Sequence, residues 1–386
     1  MFTIRRVVSL FAVLAAPAAF AGPLDPPAGP VASTYKTLTE VEPRVMVNAT
    51  NTPGDANCLF KINRSGSYYL TDNILAPAQY GGAGILITAN NVTLDLNGFK
   101  IIGPGATGTD GVRVEGFFFL GLPPNPGENP NDVTIRNGTI RSWGRCGIVA
   151  DNLGQPAATV ANVRIENVTA EYCPAAGFQI GGGGVLVSCI ADGCGYGFTL
   201  DHGRAARCVA RGNANTGFNF NRSQLSDCVA DANTGAGFYG YLAGRADHCV
   251  ATKNYSGFIL DNGSAAADCS ASANTAWGLD VRNKAVALSC TATENGLTPI
   301  EGTNAGGIVI RGDSARVETC TASGNGTVGI ALRMGSGCLI AKNLASQNGS
   351  DRSNNIQAFG GQNFVGPILT DPTLMSTAGP WANFAY

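Results

Sequence analysis

A Gly followed by a large apolar residue recurs at Gly177-Phe178, Gly197-Phe198, Gly217-Phe218, Gly237-Phe238 and Gly257-Phe258, each step being 20 residues. The pattern continues with insertions at Gly278-Leu279, Gly307-Ile308 and Gly329-Ile330, and Gly147-Ile148 anticipates it upstream. A fixed period of this length is the signature of a solenoid, in which each repeat buries its apolar side only by stacking on its neighbours. The period therefore overrides the two domains that length alone would suggest.

Two further markers keep phase with the first. Cys189, Cys208, Cys228, Cys249, Cys269, Cys290 and Cys320 follow their glycines by 11 to 13 residues. Five residues after the last six of these come Asn213, Asn233, Asn254, Asn274, Asn295 and Asn325, and Asn343 with Asn348 repeats the pair once more, with Asn in place of Cys. Apolar residues alternate locally, as in Phe198/Leu200, Phe218/Phe220 and Ile308/Ile310, with Ala alternating with Cys in the cysteine segment. Period-two alternation is strand periodicity. A third apolar column, including Leu186, Ala205, Leu225 and Val317, lies three residues before the cysteines. Three short inward segments per repeat predict an all-β fold: a single-stranded right-handed parallel β-helix with three faces and about ten rungs. Like residues then stack about 4.8 Å apart, rung over rung. The 52 glycines agree, because a Gly in a helix interior costs up to about 1 kcal/mol relative to Ala.

The expected organisation is a signal peptide over 1–21, a Pro-rich lead-in over 22–36, an N-terminal cap over 37–82, the β-helix over 83–353 and a capping tail over 354–386 containing Trp381 and Phe384. The signal reading rests on Arg5 and Arg6 before the apolar run Val7 to Leu14, and on Ala19-Phe20-Ala21 before a cleavage point near Ala21. Export predicts a secreted, periplasmic or cell-surface protein, and no stretch has the ~20 apolar residues of a membrane-spanning helix. Only 13% of the residues are charged and the net charge is −2, so no basic surface for nucleic acid is expected. The loop from Gly116 through Pro130 reads either as aromatics covering a turn or as a lid over a groove.

The segments Ser65 to Ile74 and Asn90 to Gly98, the Gly-Phe/Cys/Asn repeats and the ending from Asn343 to Phe384 together resemble bacterial secreted right-handed parallel β-helix proteins of the pectin-lyase-like superfamily. That resemblance implies the fold, and polysaccharide as the class of partner. Polysaccharide lyases, glycoside hydrolases, uronate epimerases and phage tailspikes are its characterised members. Their catalytic motifs are largely missing. No Asn-Thr-Asp, Asp-Asp, Gly-His-Gly or Arg-x-Pro-x-x-Arg is present, and Asp201-His202-Gly203 matches the epimerase Asp-Pro-His-Asp only faintly.

Two outward columns are candidate sites. Ser188, Arg207, Asp227, His248 and Asp268 precede the cysteines, and Asp192, Arg211 and Asp231 follow them by three residues. Arg207, Arg211, Asp227, Asp231 and His248 are the candidate catalytic set for a lyase-like elimination, which needs a carboxylate neutraliser and a base. The carboxylates suit a Ca²⁺ ion, the alternative to an expectation of no cofactor, and the same columns also read as ordinary cross-strand pairing. Gln179, Thr199, Asn219 and Tyr239, outward on the Gly-Phe strands, are the candidate carbohydrate-binding residues, with Tyr196, Tyr241, Tyr255 and Trp277 nearby. No metal site is expected. Most of the cysteines read as buried thiols, and Cys173 with Cys194, which occupy the Asn column on adjacent rungs, is the candidate disulfide. Three functions are left open: binding extended polysaccharide along the flank without catalysis, a lyase- or epimerase-like enzyme on uronate glycans, and a structural or adhesive surface protein.

Overall fold

Three faces make each coil, and among the described residues the coils stack in parallel into two continuous sheets of 14 and 26 strands. The computed structural model describes residues 42–115, 130–150, 161–297, 305–358 and 362–386. The signal, the lead-in and nearly all of the Gly116–Pro130 loop lie outside them. The Gly-Phe strands form the 14-stranded sheet, for example Ala176–Ile180, Tyr196–Asp201, Phe218–Asn221 and Ala236–Tyr241. The other two faces share the 26-stranded sheet, which folds at a single residue in the left-handed region: Ser188, Arg207, Asp227, His248, Asp268, Ser289 and Thr319, with φ between 51° and 57°. The solenoid is right-handed, as expected, and three-walled.

The columns stack as the period requires. Phe178 pairs with Phe198, Phe198 with Phe218, Phe218 with Phe238 and Phe238 with Phe258. Their rings are parallel within 4–6°, with centroids 4.6–4.9 Å apart, and all five are fully buried. The seven cysteines are buried in one file, and their thiols donate to main-chain carbonyls, as Cys228 does to Ser226 at 3.3 Å and Ala205 at 3.6 Å.

The asparagine file is a buried hydrogen-bonded ladder. Nδ2 of Asn233 donates to Oδ1 of Asn254 at 2.8 Å and to the Ala210 carbonyl at 3.1 Å, and the Asn233 main-chain N–H donates to the same Oδ1 at 3.0 Å. The arrangement repeats from Asn213 through Asn348 and ends on Asn355. This ladder explains the glycine marker: a Cβ on Gly237 would lie 2.7 Å from Nδ2 of Asn254 and 2.9 Å from the Gly257 carbonyl. Only a residue without a side chain lets the amide approach.

Asn343 does take the cysteine position. Its Oδ1 accepts from the Cys320 N–H at 2.8 Å, and its Nδ2 donates to Asn383 of the tail at 3.0 Å.

Both ends differ from expectation. Of the fourteen strands in the smaller sheet, the first, Pro53–Asp55, is an antiparallel arm against Cys58–Ile62, which leaves thirteen coils among the described residues, where the period suggested about ten. The stretch assigned to the cap holds a complete coil, Cys58–Ile62, Gly66–Tyr69 and Ile74–Leu75, paired in parallel with the next. It lacks the Gly-Phe and Cys markers because Ile62, Tyr68, Leu70 and Ile74 fill its interior instead. The cap proper is the hairpin arm together with Val45–Met46, which pairs with Gly66–Tyr69. At the other end the coils run on to Ile356–Ala358, past the expected limit at 353. Phe364–Val365 and Asn383–Ala385 close the larger sheet.

Candidate functional site

On the outside of the 14-stranded sheet one column reads Val149, Gln179, Thr199, Asn219, Tyr239, Ile259, Asp280, Val309 and Ala331, each paired in register with the next. The carbohydrate candidates Gln179, Thr199, Asn219 and Tyr239 therefore stand in one file, each partly exposed. Asp280 continues the file, yet its side chain is only 1% exposed.

Its burial is compensated by charge. Arg282 donates from Nε at 3.0 Å and Nη2 at 2.7 Å to Oδ2 of Asp280. Arg311 donates from Nε at 3.1 Å to Oδ1, and its Nη2 also bonds Oδ2. A buried carboxylate needs this kind of pairing, since an uncompensated one would cost several kcal/mol. At Arg282 burial lowers the pKa, but the hydrogen bonds and charge of Asp280 outweigh it and hold the guanidinium above its ordinary value.

Around Asp280 opens a cleft of about 480 Å³, within the range of small-molecule sites. Ile259, Asp280 and Val309 line its centre. Tyr255 and Trp277 stand on the side where the strands enter, and Arg282, Arg311 and Arg333 on the side where they leave. Arg333 owes its place to an irregularity. The register shifts between Ile310 and Arg311, so that Arg311 pairs with Met334 and Arg333 is the extra residue. Such bulges re-aim side chains at functional surfaces. Sequence reasoning missed this group although a signal was present: Arg282, Arg311 and Arg333 each fall four residues after a marker glycine, Gly278, Gly307 and Gly329.

A second acid–guanidinium knot lies toward the N-terminal end of the same sheet. Asp110 is fully buried, accepts from Arg113 Nε at 2.9 Å and from the Cys146 N–H at 3.1 Å, and is bonded by Arg145. Glu115 is nearby, and burial raises its pKa.

The candidate catalytic set does not converge. Arg207, Asp227 and His248 are exposed bend residues, and among the described residues no ion pair joins them to one another or to Asp268. The left-handed bend turns each of them out toward solvent, so the expected alternating ladder at that column is not formed. Arg211 and Asp231 lie beyond the bend on strands Val209–Arg211 and Val229–Asp231. There the pairing column is real, but Arg211 is bonded to Asp192 at 2.7 Å, and Asp231 accepts from Thr252 Oγ1 at 2.7 Å. None of the five lines the cleft.

Among the described residues no group of three or more His, Cys, Asp or Glu side chains could hold a metal ion, and no helix is long and apolar enough to cross a membrane. Cys173 and Cys194 sit buried on adjacent rungs as free thiols at the head of the asparagine ladder, where the Cys173 N–H faces the Cys194 sulfur at 3.5 Å.

Fold and cleft together define a right-handed parallel β-helix that carries an arginine-walled groove on the outside of its smaller sheet. Residues 127–276 match the family model described as a right handed beta helix region. No curated protein matches the chain in sequence. Among solved structures it is similar to the A-module of mannuronan C-5 epimerase AlgE6 of Azotobacter vinelandii, at 18% identity over 83% of this chain and 90% of that one, with a TM-score of 0.55. The A-module of AlgE4 from the same organism is similar at 15% identity over 84% and 91%, with a TM-score of 0.50. At these identities the likeness establishes the fold, and the resemblance read from the sequence is borne out at that level.

Proposed function

We propose that the protein binds extended polysaccharide along the outer face of its 14-stranded sheet, anchored in the Asp280 cleft, and does not cleave or epimerise it. The observation that carries this reading is the pairing of an aromatic wall with three arginines around a fixed carboxylate. Sugar rings present apolar faces to aromatic side chains. Planar guanidinium forks suit carboxylate groups. The file of Gln179, Thr199, Asn219 and Tyr239 extends the surface along the solenoid axis with amide and hydroxyl donors and acceptors. The two structurally similar epimerase modules are named for mannuronan, itself a polysaccharide, which agrees with a glycan partner.

The way the cleft holds its carboxylate supports the reading without catalysis. A general base has to reach the substrate proton, whereas the Asp280 side chain is only 1% exposed and is engaged by Arg282 and Arg311. The two histidines of the chain, His202 and His248, are not in the cleft. Export, with cleavage near Ala21, belongs to the same reading, because its polymeric partner lies outside the cytoplasm.

The test is electrophoresis through gels containing single glycans, run beside an ultraviolet assay on uronate polymers with added Ca²⁺. Retardation without rising absorbance is the expected result. Rising absorbance that Arg207→Ala or Arg211→Ala abolishes would establish a lyase in place of a binder. Migration unchanged in every gel would favour a structural or adhesive role.

A further inference from the structure

Charge is unevenly distributed along the proposed binding face. Over the five rungs of Gln179, Thr199, Asn219, Tyr239 and Ile259 the central column carries no charge. The column where those strands leave the sheet includes Asp201, Asn221 and Tyr241, Asp261 follows the end of the next strand at Leu260, and the Asp201 side chain is 48% exposed. With exposed Arg222 beside them, this stretch carries net one negative charge. In the next three coils the same exit side holds Arg282, Arg311 and Arg333, so the cleft, Asp280 included, carries net two positive charges.

We propose that the cleft receives one anionic substituent of a glycan that is otherwise neutral, so that the protein selects sparsely acidic polysaccharide over a polymer charged at every residue. The inference rests on the reading of this face as a polysaccharide surface and adds the charge pattern of the ligand. A fully charged chain laid along the face brings carboxylates against Asp201 and Asp261, and like charges placed together discriminate against a ligand. A neutral chain meets hydroxyl, amide and tyrosine side chains there at no such cost.

In the cleft, Asp280 acts as a positioning residue. It takes the Nε and Nη2 edge of both Arg282 and Arg311, which fixes the two planes and leaves the Nη1 donors clear of it. Held in this way, the two forks lose little freedom when a carboxylate arrives.

Isothermal titration of the full chain with three oligosaccharides of equal length tests this: a neutral xylo-oligosaccharide, the same molecule bearing a single glucuronic acid, and an oligogalacturonate. The single-acid probe is expected to bind about tenfold tighter than the neutral one, or ~1.4 kcal/mol, and tighter than the oligogalacturonate. Arg311→Gln and Arg333→Gln, each checked for native thermal unfolding, are expected to erase the gain from the single acid while the neutral probe still binds. Asp201→Asn with Asp261→Asn is expected to raise affinity for oligogalacturonate alone. Oligogalacturonate binding tightest to the unaltered protein would overturn the charge-pattern proposal and leave the polysaccharide reading standing. Failure of all three probes to bind would remove both.

Discussion

Replacing Asn254 with Ala removes one step of a buried ladder that runs from Asn213 to Asn355. Asn254 Oδ1 accepts from the main-chain N–H of Asn233 at 3.0 Å and from its side-chain amide at 2.8 Å. In the variant the Asn233 N–H loses its acceptor, and the Asn233 amide keeps only the Ala210 carbonyl for its two protons. Both orphaned donors are inaccessible to water, Asn233 being 2% exposed and Asn254 0%. At roughly 1–3 kcal/mol for each buried unsatisfied group, the expected loss is about 2–6 kcal/mol before any cavity term. Against typical stabilities of about 5–15 kcal/mol, this is a large fraction of the total. Urea unfolding followed by circular dichroism, with unchanged denaturant dependence, measures it. The paired control is Asn219→Ala, the same deletion at a partly exposed outward position, expected to stay within roughly 0.5 kcal/mol. A loss below about 1 kcal/mol for Asn254→Ala would refute the ladder as a source of stability and reduce it to a by-product of stacking.

Three shorter expectations accompany it. Ala232 holds a left-handed bend at φ 54° on the surface, so Ala232→Gly should raise stability by roughly 0.5–1 kcal/mol in the same assay, and a decrease would contradict the strain reading. All twelve cysteines are buried and burial pushes Cys146 up to about 11, so the folded protein should leave a thiol reagent unreacted and the unfolded protein should titrate twelve. A count of ten, with Cys173 and Cys194 protected, would instead establish the bridge between them. Hydrogen bonds from Lys342 and Arg316 hold the Glu318 carboxyl below its usual range. Burial pushes Asp95 up, but hydrogen bonds from the Asn97 N–H, Asn137 and Arg136 outweigh it and hold that carboxyl low as well. Both folded values lie under the unfolded ones, so the stability they contribute is full above the unfolded range of about 4 and lost as pH falls through the lowered values. The urea midpoint should be level from neutral pH to about 5 and fall below about 4, and a midpoint that rises on acidification would be the wrong sign.

The interior was legible because stacking copies one coil's requirements onto the next. A phenylalanine over a phenylalanine, or an asparagine over an asparagine, leaves a period in the chain, and even the exchange of Asn343 for cysteine was readable from its phase. The ends were less legible. The first coil fills its core with Tyr68, Leu70 and Ile74 rather than with the repeated types, so no period announces it. Nor does sequence phase reveal which residue carries a bend. Placing Arg207, Asp227 and His248 on a strand suggested paired partners, whereas each occupies a left-handed bend that turns it out toward solvent. The cleft arginines were visible in phase but easily passed over. Their column changes character only in the last three glycine-marked coils, after insertions have broken the 20-residue step, and the burial of Asp280 between them depends on contacts that no spacing records.

The tail ends the solenoid by imitation. Asn383 Oδ1 accepts a hydrogen bond from Asn343 Nδ2, and its own amide donates back to the Ile340 carbonyl, the bonds that a further coil would make. Growth of the stack is thus halted by a forged step rather than by a foreign lid. Deleting the last few residues would uncover the strand edge of the final coil, and chains so trimmed should aggregate more readily than the full chain through that edge.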